Sequence, residues 1–211
     1  MRIAGANGIN SWGQGSIDLL LLELAKRGHV VLDVPLPKRH WFSARWGGKP
    51  DGEIIAKHTR DGDVIVAHSF GCLRTWHAHQ IRDFAAIICI APAMSDSAEW
   101  NHPEHVHCLY SPKDLAIRIG ARLLFHPFGA AGSKGFTQEG VTNVEYQCGH
   151  SDYFQPPLIS RVADYVERVA RMPRGVDLGG VGNRPTCETA HVTRTPTRIA
   201  SEFRYSTEGE G

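Results

Sequence analysis

Residues 63–72, which read DVIVAHSFGC, constrain the fold of this chain more than any other stretch. An apolar, β-branched segment runs directly into Ser69, and helix-forming residues follow from 73 to 80. The small residues Ala67 and Gly71, two before and two after the serine, let the backbone turn sharply without a steric clash. The pattern predicts a strand, a tight turn and a helix, with the hydroxyl of Ser69 raised at the apex as a nucleophile.

Apolar strand-like segments alternate with amphipathic helical segments along most of the chain. We predict strands at 2–6, 29–34, 64–67, 85–91, 105–110 and 143–148, and helices at 15–27, 51–59, 73–80, 113–125 and 157–171. Because the strands are apolar on both faces, they indicate a mostly parallel sheet of about six strands between two helical layers, a three-layer α/β/α sandwich. Ligands bind at the carboxyl ends of strands in such sheets, so functional residues should follow strands.

The composition is typical of a globular domain and excludes several classes of function. The chain has 211 residues, 42% of them hydrophobic and 21% charged, and its net charge of +1 gives no field that favours nucleic acid or an anionic membrane. No signal-peptide layout or membrane-spanning run is present, so we expect a cytoplasmic protein. Residues 172–211 lack periodicity, which predicts one domain over 1–171 and a mostly disordered tail. The sequence does not indicate an oligomeric state.

A serine hydroxyl becomes a nucleophile only when a base takes its proton and a third group orients that base. His150 is the best placed of the histidines, because it follows the sixth strand at its carboxyl end. Asp114 follows the fifth strand in the same way and is our candidate for the orienting carboxylate, ahead of its rival Asp96. His68, beside the nucleophile, is predicted to project away from Ser69.

The negative charge that develops on an attacked acyl group needs hydrogen-bond donors already in place. The backbone N–H of Phe70 is one candidate, and the turn after the first strand, at Asn7, Gly8 and Ile9, is the other. Aromatic side chains supply candidate walls for a substrate pocket. They are Trp12, Trp41 and Phe42, and the loop 39–46 that holds the latter two either lines the pocket or packs elsewhere.

With Ser69, Asp114 and His150 in this order, the chain resembles the α/β-hydrolase family. The segment AHSFG differs from G-x-S-x-G only at Ala67. The resemblance covers residues 2–171 and implies a minimal hydrolase without the usual leading hairpin and without a lid. It also implies a carboxylesterase- or lipase-like reaction on a small-molecule acyl substrate, with no metal and no organic cofactor.

Three other interpretations remain open on the sequence alone. The turn that ends at Gly8, followed by Asp33, weakly resembles a dinucleotide-binding unit of an oxidoreductase. The histidines at 102, 105 and 107 suggest a metal site, although no carboxylate or cysteine completes it. The fold also serves binding modules that have no catalytic activity. The cysteines are interpreted as reduced core thiols. Cys72 lies at a helix start, where a thiol pKa can be lowered, but packing against the sheet is the favoured role.

Overall fold

The computed structural model describes residues 1–9, 16–123 and 128–172. Most of the predicted tail, 173–211, therefore lies outside the described residues. The strands are β1 (Arg2–Ala6), β2 (Val30–Leu32), β3 (Val64–His68), β4 (Ala86–Ile90), β5 (Val106–Tyr110) and β6 (Thr142–Glu145). The helices are α1 (Ser16–Lys26), α2 (Trp41–His58), α3 (Gly71–His79), α4 (Leu115–Leu123), α5 (Ala131–Lys134) and α6 (Leu158–Ala170). Short 3₁₀ turns cover Pro103–His105 and Asp152–Phe154.

The six strands form one parallel sheet in the order β2-β1-β3-β4-β5-β6. The predicted parallel α/β architecture is confirmed. The chain leaves β1 toward one side for β2 and then returns past β1 to β3, so the strand order reverses between β1 and β3. The loops that follow these two strands diverge there, and the crevice between them is where a doubly wound sheet binds its ligand. This order also differs from the 3-2-1-4-5-6 order of dinucleotide-binding sheets.

Alternating residues of the strands enter two separate cores, one on each face of the sheet. Ile3, Val66 and Ile88 pack in the first core with apolar residues of α1 and α6. Ile65 and Ile87 pack in the second core with residues of α2 and α3. β3 and β4 are buried along their whole length, and their sequences are accordingly apolar at every position except His68, which ends β3.

Helix α2 is the main departure from the sequence prediction. The sequence predicts a loop at 39–46 and a helix only from residue 51, because Gly47, Gly48 and Pro50 are poor helix formers. The structure has one helix through all of them. Close packing on α3 explains the difference, since a Cβ on Gly52 would lie 2.5 Å from the Cβ of His77. Tertiary contacts of this kind override local propensity.

Smaller differences occur toward the end of the chain. The segment 127–140 is predicted to be irregular but contains the one-turn helix α5, and β6 ends at Glu145 rather than at residue 148. Within the described ranges, no helix combines the length and the hydropathy needed to cross a membrane.

Candidate active site

Ser69 sits at the turn between β3 and α3 with a backbone φ of 56°. This left-handed conformation is unfavourable for a residue with a side chain, and it persists only where the surroundings fix it. Two main-chain hydrogen bonds do so here. The N–H of Ser69 donates to the carbonyl of Ile90 at 3.0 Å, and its carbonyl accepts from Ala93 at 3.1 Å. The last residue of β4 and the loop that follows it therefore hold the turn in its strained form.

The loop after β1 passes directly over this turn. A Cβ on Gly71 would lie 2.0 Å from the carbonyl oxygen of Ala6, so only glycine allows the approach. On the loop itself, a Cβ on Gly8 would lie 3.0 Å from the Cβ of Ser69 and 3.5 Å from its Oγ. The candidate donor residues of this loop are thus brought beside the serine, as is Phe70, the residue that precedes α3.

His150 and Asp114 meet at hydrogen-bond distance. Nδ1 of His150 lies 2.7 Å from Oδ2 of Asp114, whose side chain is fully buried. Its other oxygen, Oδ1, accepts the N–H of Ile117 at 3.0 Å and so caps the N-terminus of α4. The carboxylate is therefore fixed by the helix while it contacts the imidazole. Asp96 is placed differently, because its described contacts are made by its main-chain carbonyl to Thr137.

Two further contacts fix the loop that carries His150. The hydroxyl of Ser111, after β5, donates to the carbonyl of Cys148 at 2.6 Å and accepts the N–H of the same residue at 3.2 Å. The carboxylate of Asp152 accepts the N–H of Gly149 at 2.7 Å. Asp152 thus shapes the backbone next to His150 and makes no described contact with the imidazole.

His68 contacts His150, which the sequence pattern does not indicate. The two rings have centroids 4.7 Å apart, and Nε2 of His68 donates to the main-chain carbonyl of His150 at 3.2 Å. Phe154 packs against the ring of His68 edge-on. The pKa of His68 is lowered to about 3, mainly by burial and to a smaller extent by the adjacent His150. His68 is therefore neutral near pH 7 and places no second charge beside His150.

Ser69 and His150 line the same pocket, whose volume is about 150 Å³. The other lining residues are apolar or glycine, and they are Ile9, Ala93, Ala116, Ile117, Gly120, Ala121, Phe128 and Gly129. No hydrogen bond is recorded between the Ser69 hydroxyl and His150 among the described residues. The hydrogen bond between a nucleophile and its base is often long or poorly aligned before substrate binds, and it tightens in the complex.

The predicted aromatic walls remain predictions. Trp12 lies outside the described residues, and the side chains of Trp41 and Phe42 are likewise outside what the structure describes, although both residues belong to α2. Four of the lining residues come instead from α4, between Ala116 and Ala121. The amphipathic pattern of that helix is visible in the sequence, but the pattern does not show that one edge of the helix faces Ser69.

The remaining titratable clusters lie apart from this pocket. Cys72 is fully buried, as expected for a thiol that packs in the core, and burial raises its pKa well above the usual value rather than lowering it. His107 Nδ1 is hydrogen-bonded to the Tyr165 hydroxyl at 2.9 Å, whereas the rings of His102 and His105 stack on each other. In the part of the chain that the structure describes, no group of three or more His, Cys, Asp or Glu can hold a metal ion.

Comparison with known proteins identifies similar structures but no similar sequence. No protein-family model matches the chain, and no curated protein matches it. Alpha/beta hydrolase domain-containing protein 10 from mouse is similar with a TM-score of 0.53 and 12% identity, over 80% of this chain and 88% of that one. The pyrethroid hydrolase from Sphingobium faniae JZ-2 gives a TM-score of 0.48 and 13% identity, over 82% and 96%. At this identity, the likeness to the mouse protein is one of fold alone.

Proposed function

We propose that this chain, which has the α/β-hydrolase fold, is a serine hydrolase that cleaves an ester or related acyl bond. The proposal rests above all on one observation. The imidazole of His150 is 2.7 Å from a fully buried carboxylate and lines the same pocket as a serine held at a φ of 56°. Such an arrangement has a direct chemical use, whereas a module that only binds has no need of it.

In the proposed reaction, Nε2 of His150 takes the proton of the Ser69 hydroxyl as Oγ attacks the acyl carbon. Asp114 holds the proton on Nδ1, which leaves Nε2 free to act as the base, and it stabilises the imidazolium that forms. His150 then gives its proton to the leaving alcohol as the tetrahedral intermediate collapses. Water, activated by the same imidazole, releases the acid and restores Ser69.

The oxyanion is stabilised by the N–H groups of Phe70 and of the loop Asn7, Gly8 and Ile9. Donors of this kind act strongly because they are oriented before the reaction begins. Phe70 directly precedes the helix that follows the nucleophile, and a Cβ on Gly8 would lie 3.0 Å from the Cβ of Ser69. Both sources of donors lie next to Ser69, which supports this assignment.

The substrate is a small molecule that presents an apolar, uncharged group to the pocket. The described lining holds no charged side chain besides His150 when that residue is protonated. A cavity of this volume with an apolar lining takes a group about the size of benzene. We therefore expect esters of short or medium chains to be better substrates than charged or long-chain ones.

The test is hydrolysis of a panel of chromogenic esters by the full chain and by two variants, Ser69→Ala and His150→Gln. We expect turnover by the wild type and a loss on the order of 10³-fold or more in each variant. A catalytically silent binding module would hydrolyse none of the esters. Turnover that persists in Ser69→Ala would place the reaction on another residue and reject the assignment.

A further inference from the structure

Arg74 on α3 is buried to 1% exposure, which is unusual for an arginine. Its Nε lies 3.0 Å from Oδ2 of Asp51, a fully buried carboxylate on α2. The same carboxylate accepts two hydrogen bonds from Arg39, at 3.1 and 2.7 Å. The guanidinium also lies over the ring of Phe70, 4.9 Å from its centroid. A buried charge needs an oppositely charged partner. Asp51 therefore offsets the cost of burying the Arg74 guanidinium, but it does not explain why an arginine occupies this position.

The two terminal nitrogens of Arg74 bind main-chain carbonyls of two loops at the carboxyl edge of the sheet. One nitrogen donates to the carbonyl of Asn7 at 3.1 Å, in the loop after β1. The other donates to the carbonyl of Pro37 at 3.0 Å, in the loop after β2. Gly71 allows this geometry, since a Cβ there would lie 2.9 Å from the same Asn7 oxygen. A single side chain thus joins the helix of the nucleophile to the loop that passes over it.

The carbonyl of Asn7 and the N–H of Gly8 belong to the same peptide unit. A trans peptide is planar, and its C=O and N–H point in opposite directions. The described cis peptide bond lies elsewhere, between Pro156 and Pro157. A charged donor that fixes the oxygen therefore also fixes the direction of the N–H. It polarises the peptide as well, which makes the N–H a stronger donor.

We propose that Arg74 is a positioning residue for the oxyanion hole, and this inference rests on the proposed function. Arg74 acts through the peptide between Asn7 and Gly8, and it does not touch the substrate. Asp51 and Arg39 keep the guanidinium in place. Through its hydrogen bond to the carbonyl of Asn7, Arg74 links the helix after the strained turn to the start of the loop after β1, although the turn and the loop follow different strands.

A purely structural role of Arg74 would also account for a buried ion pair between α2 and α3. The test must therefore separate a structural role from a positioning role. Lysine keeps a positive charge next to Asp51, but its single ammonium group lacks the fork that reaches both carbonyls. We expect Arg74→Lys to fold with a melting temperature near that of the wild type. We expect its kcat to fall about tenfold or more, with KM changed by about twofold at most, because an oxyanion interaction acts on the transition state. Arg74→Gln should lose kcat to at least the same extent.

The matched control is Arg82→Gln. Arg82 also donates its Nε to a main-chain carbonyl, that of Ala56 at 2.9 Å, but on helix α2 away from Ser69. Its kcat should equal that of the wild type. As a second readout, a boronic acid that mimics the tetrahedral intermediate should bind Arg74→Lys more weakly by the same factor as kcat/KM falls.

The possible outcomes are distinguishable. If the wild type shows no Ser69-dependent turnover, the proposed function fails and this inference fails with it. If the wild type turns over and Arg74→Lys retains its kcat, as Arg82→Gln does, the inference alone is overturned and Arg74 is a structural residue. Should Arg74→Gln not fold, Arg74→Lys still decides, because it retains the charge that compensates Asp51.

Discussion

At the scale of single residues, Asp114 has two partners at once. Oδ1 caps α4 through the N–H of Ile117, and Oδ2 contacts the imidazole of His150. The carboxylate is buried and cannot rotate without losing the cap. Substitution of Asp114 by asparagine separates the capping role from the role toward His150. Asparagine is as good an N-cap as aspartate, but it presents an amide to the imidazole.

We predict that Asp114→Asn lowers kcat by on the order of 10³- to 10⁴-fold while the melting temperature changes little. The amide oxygen keeps the cap, and the amide NH₂ forces the proton of His150 onto Nε2, where it blocks the base. Steady-state ester hydrolysis and thermal unfolding measure the two effects. Asp96→Asn is the control, and a comparable loss of kcat in that variant would show that Asp96 is the orienting acid.

Part of this site can be predicted from the sequence, and the reason is topological. Ser69, Asp114 and His150 each follow a strand, and parallel strands bring their carboxyl ends to one edge. His68 is different, because its place in the site depends on a contact with the ring of His150, which lies 82 positions away along the chain. Arg74 is also invisible in the sequence, since nothing in the local pattern indicates that a helical arginine is buried.

At the scale of elements, α4 joins the acid to the pocket. The helix begins directly after Asp114, buries Ile117 in the protein and presents Gly120 to the pocket. A Cβ on Gly120 would have no described atom within 4 Å. Glycine is also a poor helix former, so larger residues are tolerated at this position by the helix. Gly120 is therefore a position at which pocket volume can be changed without disturbing the fold.

We predict that Gly120→Leu narrows the substrate range by filling the pocket. Relative to the wild type, kcat/KM should fall about tenfold for esters with six-carbon groups and much less for acetate esters, since each methylene is worth on the order of 1 kcal/mol. Two ester series, one varied in the acyl chain and one in the alcohol, identify which group occupies the pocket. Arg118→Leu adds the same side chain to an exposed position of α4 and should leave both series unchanged. Equal profiles for the two variants would contradict the assignment of this pocket.

Helix α2 shows why elements are less predictable than strand order. Its glycines and proline are breakers by propensity, and its close packing on α3 exists only in the folded chain. The buried strands were predictable because hydrophobicity on both faces is itself the signal. A helix whose stability comes from packing on another helix leaves no such signal in its own sequence.

At the scale of the whole molecule, the reversal of strand order between β1 and β3 determines where the chemistry can occur. The loop at Asn7 and the turn at Ser69 follow these two strands, and the loops of β5 and β6 supply the acid and the base. We further propose that residues 1–171 suffice for folding and activity, because the six strands and the residues Ser69, Asp114 and His150 all lie within them.

We predict that the stability of the protein falls as the pH is lowered below about 6.5. Burial lowers the pKa of His107 to about 4, so the folded protein keeps this residue neutral where the unfolded chain binds a proton. The unfolded state then holds more protons, and each such histidine lowers the free energy of unfolding by up to about 1.4 kcal/mol per pH unit. The stabilisation is complete above the unfolded pKa and is lost as the pH falls toward 4.

Urea unfolding of the wild type and of His107→Gln at pH 7, 6 and 5 measures this slope. The variant can still bond to the hydroxyl of Tyr165, and its slope should be shallower by up to about 1.4 kcal/mol per pH unit. The exposed His58→Gln is the control and should follow the wild type. Identical slopes for His107→Gln and the wild type would show that His107 is not held neutral in the folded protein.

Covalent labelling measures whether Ser69 is a nucleophile activated by its surroundings. The full chain is treated with a fluorophosphonate probe, and the modified residue is located by peptide mass spectrometry, with Ser69→Ala treated in parallel. We expect one adduct, on Ser69 of the wild type, and no adduct in the variant. An unlabelled wild type, or equal labelling of both proteins, would contradict it.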